Sequence, residues 1–198
     1  MKGKIDSLEV KRQLFHAVFG MILAFLIFKE ILIWQYLLAI TIVGLMLSWT
    51  ATKRSIPLIS WFLEKFERPE VIKTFPGKGA IYFCIGAFVV TLIFSKDIAA
   101  ASVAILALGD SVCVIVGKFG KIRHPFTNKK YLEGAIAGII AGTGGAHLFV
   151  PIWQAAVASF FAMIVEGIEL EFNAERVDDN LIIPLTTALV IYFYRIVI

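Results

Sequence analysis

The stretch "ALGDSVCVIVGKFGKIRHPFTNKKYLEG", residues 107–134, decides the interpretation of this chain. It begins in an apolar run that nevertheless carries Asp110, leaves that run through Gly117 and Gly120, and ends at Glu133. Between the glycines and Glu133 the segment is basic, with Lys118, Lys121, Arg123, Lys129 and Lys130. An ionisable side chain inside a membrane helix is costly and usually serves function. The stretch therefore predicts a site where a helix leaves the membrane.

The composition is that of a membrane protein. The chain has 198 residues, of which 59% are hydrophobic and 17% charged, whereas a soluble domain averages about 25% charged residues. Apolar runs long enough to cross ~30 Å of hydrocarbon recur along it. We expect one polytopic, all-α transmembrane domain over residues 1–198, without a cleaved signal peptide and without a nucleic-acid partner. Cys84 and Cys113 lie in apolar runs, which favours buried side chains over a disulfide or a zinc site.

Seven membrane helices are predicted, and the basic residues orient them. The predicted helices are 14–28, 31–49, 79–95, 98–116, 134–150, 152–168 and 181–198. Of the 19 Lys and Arg residues, 16 fall on the side of the N-terminus, which the positive-inside rule places in the cytoplasm. The C-terminus is then outside, and the cytoplasmic loops are 50–78, 117–133 and 169–180.

Two local patterns refine this topology. In "LISWFLEKF", residues 58–66, apolar side chains recur at helical spacing, which predicts an amphipathic helix on the inner leaflet. Gly134, Gly138, Gly142 and Ala146 put a small residue at every fourth position of the fifth helix. This stripe predicts close packing of that helix against a neighbour.

Polar groups from five predicted helices gather at the cytoplasmic boundary. They are His16, Asp110, Glu133, Glu166 and the group Asp178, Asp179 and Asn180. The outer half of the predicted bundle carries few polar residues, so a single site that faces the cytoplasm is the better account of them.

The types of residue present indicate phosphoryl transfer. Carboxylate and amide oxygens suit Mg²⁺, for which the candidate ligands are Asp110, Glu133, Asp179 and Asn180. Lysines and glycine-flanked amides suit phosphates, and Lys129 and Lys130 precede Glu133 at helical spacing. Anchoring to anionic lipid also explains the lysines, but not Asp110 or Glu133. The chain has neither a P-loop nor a protein-kinase signature.

The order of these motifs resembles the CTP-dependent lipid-alcohol kinases, the group of dolichol kinase, phytol kinase and yeast-type diacylglycerol kinase. The central match is Asp110, Gly117, Gly120 and Lys121, followed by "KKYLEG". "EVKRQLFH" (9–16), "GKGAIYFCIGA" (77–87) and Glu166 followed by "DDNLIIPL" (178–185) agree with it in order. Where the family usually has Arg-Lys, this chain has Arg12-Gln13, so a phosphate-binding role carries over to Arg12 and not to Gln13.

The resemblance implies a CTP-dependent kinase of a lipid alcohol, with a polyprenol or dolichol type favoured, in a minimal prokaryotic form. It implies a multi-pass protein of the cell membrane, with the bilayer as partner, Mg²⁺ as cofactor and the active site on the cytoplasmic side. The implied nucleotide-binding residues are Arg12, Gly117, Gly120, Lys121, Lys129, Lys130, Glu133 and Gly134. The implied catalytic residues are Asp110, Glu166 and His16.

Three questions stay open at the level of sequence. A CDP-lipid-forming cytidylyltransferase ranks second, because the dense closing run of Pro, Gly, His and paired Asp expected of those enzymes is missing. An ion-coupled transporter could use Asp110 and Glu166 for coupling, but carriers place their sites near the midplane with access from both sides. His16 is a general base, a residue that positions the acceptor, or a structural hydrogen-bonding group, and Asp110 and Glu166 compete for the role of base.

Overall fold

The computed structural model describes residues 6–125, 127, 130–168, 171–172 and 175–197. In chain order the helices are α1 (Ser7–Phe28), α2 (Trp34–Ala51), α3 (Pro57–Phe66), α4 (Pro69–Thr74), α5 (Lys78–Ile93), α6 (Lys96–Gly117), α7 (Leu132–Ala146), α8 (Ile152–Ile168) and α9 (Asp179–Val197). Two strands of two residues each, β1 (Glu171–Phe172) and β2 (Glu175–Arg176), form an antiparallel pair between α8 and α9. The all-α prediction is confirmed for the bulk of the chain, and this strand pair is a small addition to it.

Each predicted span coincides with a helix, but the helices differ in length. Among the described residues, α1, α2, α6 and α9 are long and apolar enough to cross a membrane. The helices α5, α7 and α8 are apolar but shorter, at 16, 15 and 17 residues. Four membrane-crossing helices are therefore supported, while the seven-span topology and its orientation stay predictions.

Helix α1 begins seven residues earlier than its predicted start at Leu14. The carboxylate of Asp6 caps it by accepting a hydrogen bond from the backbone amide of Leu8 at 3.2 Å. Because α1 starts at Ser7, His16 lies roughly 14 Å along the helix axis at 1.5 Å per residue. His16 is therefore nine residues inside α1, and its place near the cytoplasmic start of the membrane span stays a prediction.

Helix α6 is the centre of the bundle. It packs against α1, α5, α7, α8 and α9, and its outer half is built from small residues that are almost fully buried. Residues Ile105–Asp110 form one turn and a half of π-helix within it, a distortion that is frequent at functional sites. Asp110 is the last residue of this wider turn, so the carboxylate is presented where the regular helix is interrupted.

The glycine stripe of α7 lets this helix approach α6 and α8 closely. A Cβ atom on Gly134 would lie 2.6 Å from the carbonyl oxygen of Cys113. A Cβ atom on Gly138 would lie 2.6 Å from the sulfur of Met163 and 2.8 Å from the carbonyl oxygen of Gly109. These contacts leave no room for a side chain, and the prediction of close packing is confirmed.

The inner connection between α2 and α5 forms the two short helices α3 and α4. The predicted amphipathic helix is confirmed as α3, and α4 was not predicted. The Phe62 and Phe66 rings of α3 pack on Phe15 of α1 at centroid distances of 5.2 and 4.9 Å, while Leu58 and Trp61 are exposed. The position of α3 on the inner leaflet stays a prediction.

We predict that Gly138→Ala lowers the thermal stability of the protein in detergent. The added methyl group must displace Met163 or widen the crossing of α6 and α7, and such overpacking costs about 1–3 kcal/mol. Gly144→Ala, on the same helix, is the matched control, because no atom lies within 4 Å of its Cβ position. The midpoint of thermal denaturation of both variants, in one detergent, checks the prediction. Equal midpoints would contradict it.

Candidate active site

Three carboxylates from three helices converge at one end of the bundle, which the sequence predicts to face the cytoplasm. Asp110 closes the π-turn of α6, Glu166 lies in the last turn of α8, and Asp179 is the first residue of α9. Each offers an oxygen atom within 4.8 Å of the oxygens of the other two. Glu166 is only 3% exposed, so its charge is poorly solvated. Like charges at this separation need a compensating cation or a shared proton, and hard oxygen ligands of this kind fit a divalent ion.

Lys130 supplies one cation to this carboxylate group. Its Nζ atom donates to the carbonyl oxygen of Glu166 at 2.5 Å and to the carboxylate of the same residue, and it lies 3.7 Å from Asp179. The basic loop returns on itself to bring Lys130 there, since Arg123 and Tyr131 form an antiparallel bridge and the amide of His124 donates to the carbonyl of Lys130. Because Lys130 and Glu166 are 36 residues apart in sequence, no local sequence pattern indicates this contact.

Among the described residues, Glu133 does not belong to the cluster of three carboxylates. Its carboxylate accepts hydrogen bonds from the backbone amides of Lys121 at 2.8 Å and Ile122 at 3.1 Å. These amides, that of Lys121 above all, lower the pKa of the Glu133 carboxyl below its ordinary value. Gly120 lies close beside them, where a Cβ atom would be 2.3 Å from Cβ of Tyr131. Glu133 thus holds the shape of the basic loop, and its role as a metal ligand stays a prediction.

Two cavities of similar volume meet at the carboxylates. One, of about 380 Å³, is mostly apolar and lies between α1, α2, α3 and α5. The other, of about 370 Å³, is polar and lies between the inner connection, α6, α8 and α9. Both are lined by Arg12, Glu67, Gly79, Asp110 and Asn180. The site can therefore hold an apolar and a charged molecule on either side of Asp110.

His16 lies on the wall of the apolar cavity. Its Nε2 atom is 4.0 Å from a carboxylate oxygen of Asp110, and the edge of its ring packs on Phe83 with 4.9 Å between centroids. This nitrogen is buried and has no hydrogen-bond partner among the described residues. An unsatisfied imidazole nitrogen beside a cavity is available to a hydroxyl group of a bound molecule.

Arg12 is held in place by Glu9, a residue to which the sequence assigned no role. The carboxylate of Glu9 accepts from Arg12 at 2.6 Å, from the side-chain amide of Gln13 at 3.1 Å and from Arg68 at 3.1 Å. The spacing of Glu9, Arg12 and Gln13 is a detectable helical signal, but the contact with Arg68, 59 residues away, is not. Gln13 serves this network, in keeping with its exclusion from phosphate binding.

The remaining predicted residues divide between the site and its supports. Asn180 lines both cavities, and its side-chain amide donates to Asp178 at 2.8 Å. Gly117 and Gly134 meet at the crossing of α6 and α7, where a Cβ atom on Gly134 would lie 2.8 Å from Cα of Gly117. Lys129 lies outside the described residues, and Lys121 is placed in the loop through its backbone amide. Nucleotide binding by these residues stays a prediction. Lys78, which sequence analysis did not select, lines the polar cavity.

Comparison with known proteins finds kinases among the partial relatives of this chain. The chain is 35% identical over 187 residues to an uncharacterized protein of Methanocaldococcus jannaschii, with 92% of each chain covered. It is 25% identical over 132 residues to the CTP-dependent diacylglycerol kinase 1 of Schizosaccharomyces pombe and 29% identical over 133 residues to a probable chloroplastic phytol kinase of Triticum aestivum. These partial matches support membership of the CTP-dependent lipid kinase family.

The resemblance found in the motifs is thereby confirmed. Each of the two kinase matches covers 58% of this chain. It covers 59% of the S. pombe kinase and 43% of the T. aestivum kinase. No family model and no solved structure matches the chain.

We predict that Glu9→Gln loosens the inner connection. The substitution removes the charge that holds Arg68, and a hydrogen bond to a charged group contributes about 1.5–3 kcal/mol. Because the Arg68 side chain is half exposed, solvent screening favours the lower end of that range, or roughly 10-fold faster amide exchange. Hydrogen–deuterium exchange of α3 and α4 measures this effect.

Glu64→Gln is the matched control, because it removes the same charge from an exposed position of α3 itself. If both variants exchange at the rate of the parent protein, Glu9 does not hold the inner connection to α1.

Proposed function

We propose that this protein is a membrane lipid kinase that transfers the γ-phosphate of CTP to the hydroxyl group of a lipid alcohol, with a polyprenol or dolichol type favoured. The reaction takes place at the cytoplasmic face of the cell membrane. The observation that carries the proposal is that an apolar cavity and a polar cavity meet at Asp110, beside Glu166 and Asp179. An enzyme that joins a water-soluble donor to an insoluble acceptor needs two compartments of this kind with one common wall.

The polar cavity suits the donor. Arg12, Arg68, Lys78 and Lys130 line it together with the carboxylates, so cationic side chains can contact phosphate oxygens while the acidic group faces the same space. The choice of CTP follows the S. pombe relative, whose name specifies dependence on CTP.

The carboxylate group fits Mg²⁺ by the chemistry of its donors. Asp110, Glu166 and Asp179 offer oxygens close enough to share one ion, and Asn180 adds a neighbouring amide. Glu166 thus replaces Glu133 as the third carboxylate of the proposed set. When bound there, Mg²⁺ would neutralise charge that develops on the phosphate oxygens. Lys130 links Glu166 to Asp179 and keeps a cation at the edge of the same group.

The apolar cavity suits the acceptor. Its wall is mostly hydrophobic and aromatic, and its polar end is formed by His16, Asp110 and Asn180. The hydroxyl oxygen of the alcohol forms a bond to the γ-phosphorus, the bond from this phosphorus to the bridging oxygen breaks, and CDP leaves. The hydroxyl proton passes to a nearby base, for which His16, Asp110 and Glu166 are the candidates.

Transfer of label from CTP to lipid tests the function. The purified protein is incubated with CTP labelled at the γ- or the α-phosphate and with polyprenol, geranylgeraniol, phytol or diacylglycerol, and the lipids are then chromatographed. We expect γ-label alone in the lipid product. Incorporation of α-label would favour the cytidylyltransferase alternative, and absence of both labels with every alcohol would reject the kinase.

Asp110→Asn is expected to reduce turnover by about 100-fold or more while the protein stays in the membrane. Metal ligation depends on the carboxylate charge and accounts for several kcal/mol of transition-state stabilisation, whereas insertion of the helix becomes easier without the charge. Turnover and Mn²⁺ binding by electron paramagnetic resonance are measured together. Asp97→Asn, which removes a carboxylate at the outer end of the same helix, is the control. Near-normal turnover of Asp110→Asn would contradict the assignment.

His16→Gln separates the three roles open to this residue. A catalytic base predicts a fall in kcat on the order of 100-fold and loss of the acid limb from the pH profile. A positioning role predicts an altered preference among the alcohols with little loss of rate. If rate, pH profile and preference all match the parent protein, His16 belongs to the packing of α1.

A further inference from the structure

The apolar cavity reaches the surface of the bundle through its apolar wall. Three large hydrophobic side chains that line it are also exposed: Phe19 of α1 is 40% exposed, Ile40 of α2 is 46% exposed, and Phe62 of α3 is 36% exposed. All three are hydrophobic, and the first two lie in helices long and apolar enough to cross a membrane. The opening that they border therefore faces hydrocarbon rather than water along α1 and α2.

A gap between neighbouring helices produces this opening. The helices α1 and α2 are joined by a connection of only five residues, yet α2 packs mainly against α5 rather than along α1. Gly44 and Ile81 mark the contact of α2 with α5, since a Cβ atom on Gly44 would lie 3.4 Å from Ile81. The cavity occupies the space that α1 and α2 leave between them.

The cytoplasmic side of the cavity is covered. Helix α3 lies over it, with Phe62 and Phe66 packed on Phe15 of α1 and on each other at 4.8 Å. Leu63 of the same helix is buried against the cavity. A molecule that arrived from the cytoplasm would have to separate this aromatic cluster, whereas one that arrived from the bilayer would meet the exposed side chains that border the opening.

We propose that the acceptor alcohol enters the apolar cavity sideways from the bilayer, through the gap between α1 and α2. This inference rests on the proposed function. The hydroxyl group leads and reaches His16 and Asp110, while the hydrocarbon tail stays between Phe19 and Ile40 and extends into the lipid. A volume of about 380 Å³ is near the lower end of cavities that enclose a drug-sized ligand, so a long chain leaves most of its length outside. The cavity thus selects the head of the alcohol and tolerates tails of any length.

A tryptophan at the gap tests the route. Ile40→Trp is expected to raise the KM for geranylgeraniol in lipid vesicles by about 10-fold or more, because the larger side chain would occupy space in the apolar site that the acceptor needs. The KM for CTP should be unchanged. Ile42→Trp is the matched control: the same residue type in the same helix, 49% exposed, but outside the cavity wall.

The two variants give a clear decision. An increase in the KM for geranylgeraniol in Ile40→Trp, but not in the control variant, supports access through the gap. Equal effects in both variants, no effect in either, or a KM for CTP that rises with that for the alcohol in Ile40→Trp would overturn it.

A labelling experiment keeps the inference separate from the proposed function. Geranylgeraniol that carries a diazirine in its tail is photolysed with the protein in vesicles without CTP, and the labelled residues are identified by mass spectrometry. We expect label on Phe19 and Ile40. Label confined to the exposed face of α3 or to the outside of the bundle would overturn the route, whether or not the protein phosphorylates the alcohol. Failure of phosphorylation with label in the gap would reject the kinase and retain the lipid site.

Discussion

The main constraint on this structure is the electrostatic cost of holding Asp110, Glu166 and Asp179 together at the end of an apolar bundle. Their oxygens lie within 4.8 Å of one another, and two of the three side chains come from helices that are predominantly apolar. Mutual repulsion in a medium of low dielectric constant would separate them unless a cation or a shared proton reduced their charge. Lys130 supplies one positive charge from a loop, and the geometry leaves the group suited to a divalent ion.

Close packing of the helices makes this convergence possible. Small residues line the outer half of α6 and the inward face of α7, so the helix axes approach one another and the carboxylates at their ends share a small volume. The cavities begin at Asp110, the last residue of the π-turn of α6, while the close packing against α7 continues to Gly117. Rigid packing on one side and open space on the other is the arrangement expected of a bilayer enzyme whose substrates must both reach one point.

The charges at the opposite end of the bundle are used differently. Lys96 pairs with Glu30 at 3.0 Å, and Arg195 pairs with Asp97 at 2.7 Å and with Gln154 at 3.0 Å. These contacts join the ends of α1, α6, α8 and α9 and involve residues that line neither cavity. Charged residues at this end therefore hold helices together, whereas those at the other end form the candidate site. This division matches the one-sided distribution of the functional motifs.

The sequence by itself determined the helical class, the approximate helix bounds, the resemblance to a family, and the candidate residues Asp110, Glu166 and Asp179. These features follow from local patterns, namely hydropathy, glycine spacing and charged residues within apolar runs. It missed α4, the early start of α1 and the network of Glu9 with Arg68, which depend on caps and on contacts between distant segments. Glu133 and Glu166 illustrate the limit. Both are acidic residues at the inner end of a helix, and only the tertiary structure turns one toward loop amides and the other toward Asp110 and Lys130. The two cavities were likewise decided by tertiary structure alone, since α2 packs on α5 instead of its neighbour in sequence, and no local pattern encodes that choice of partner.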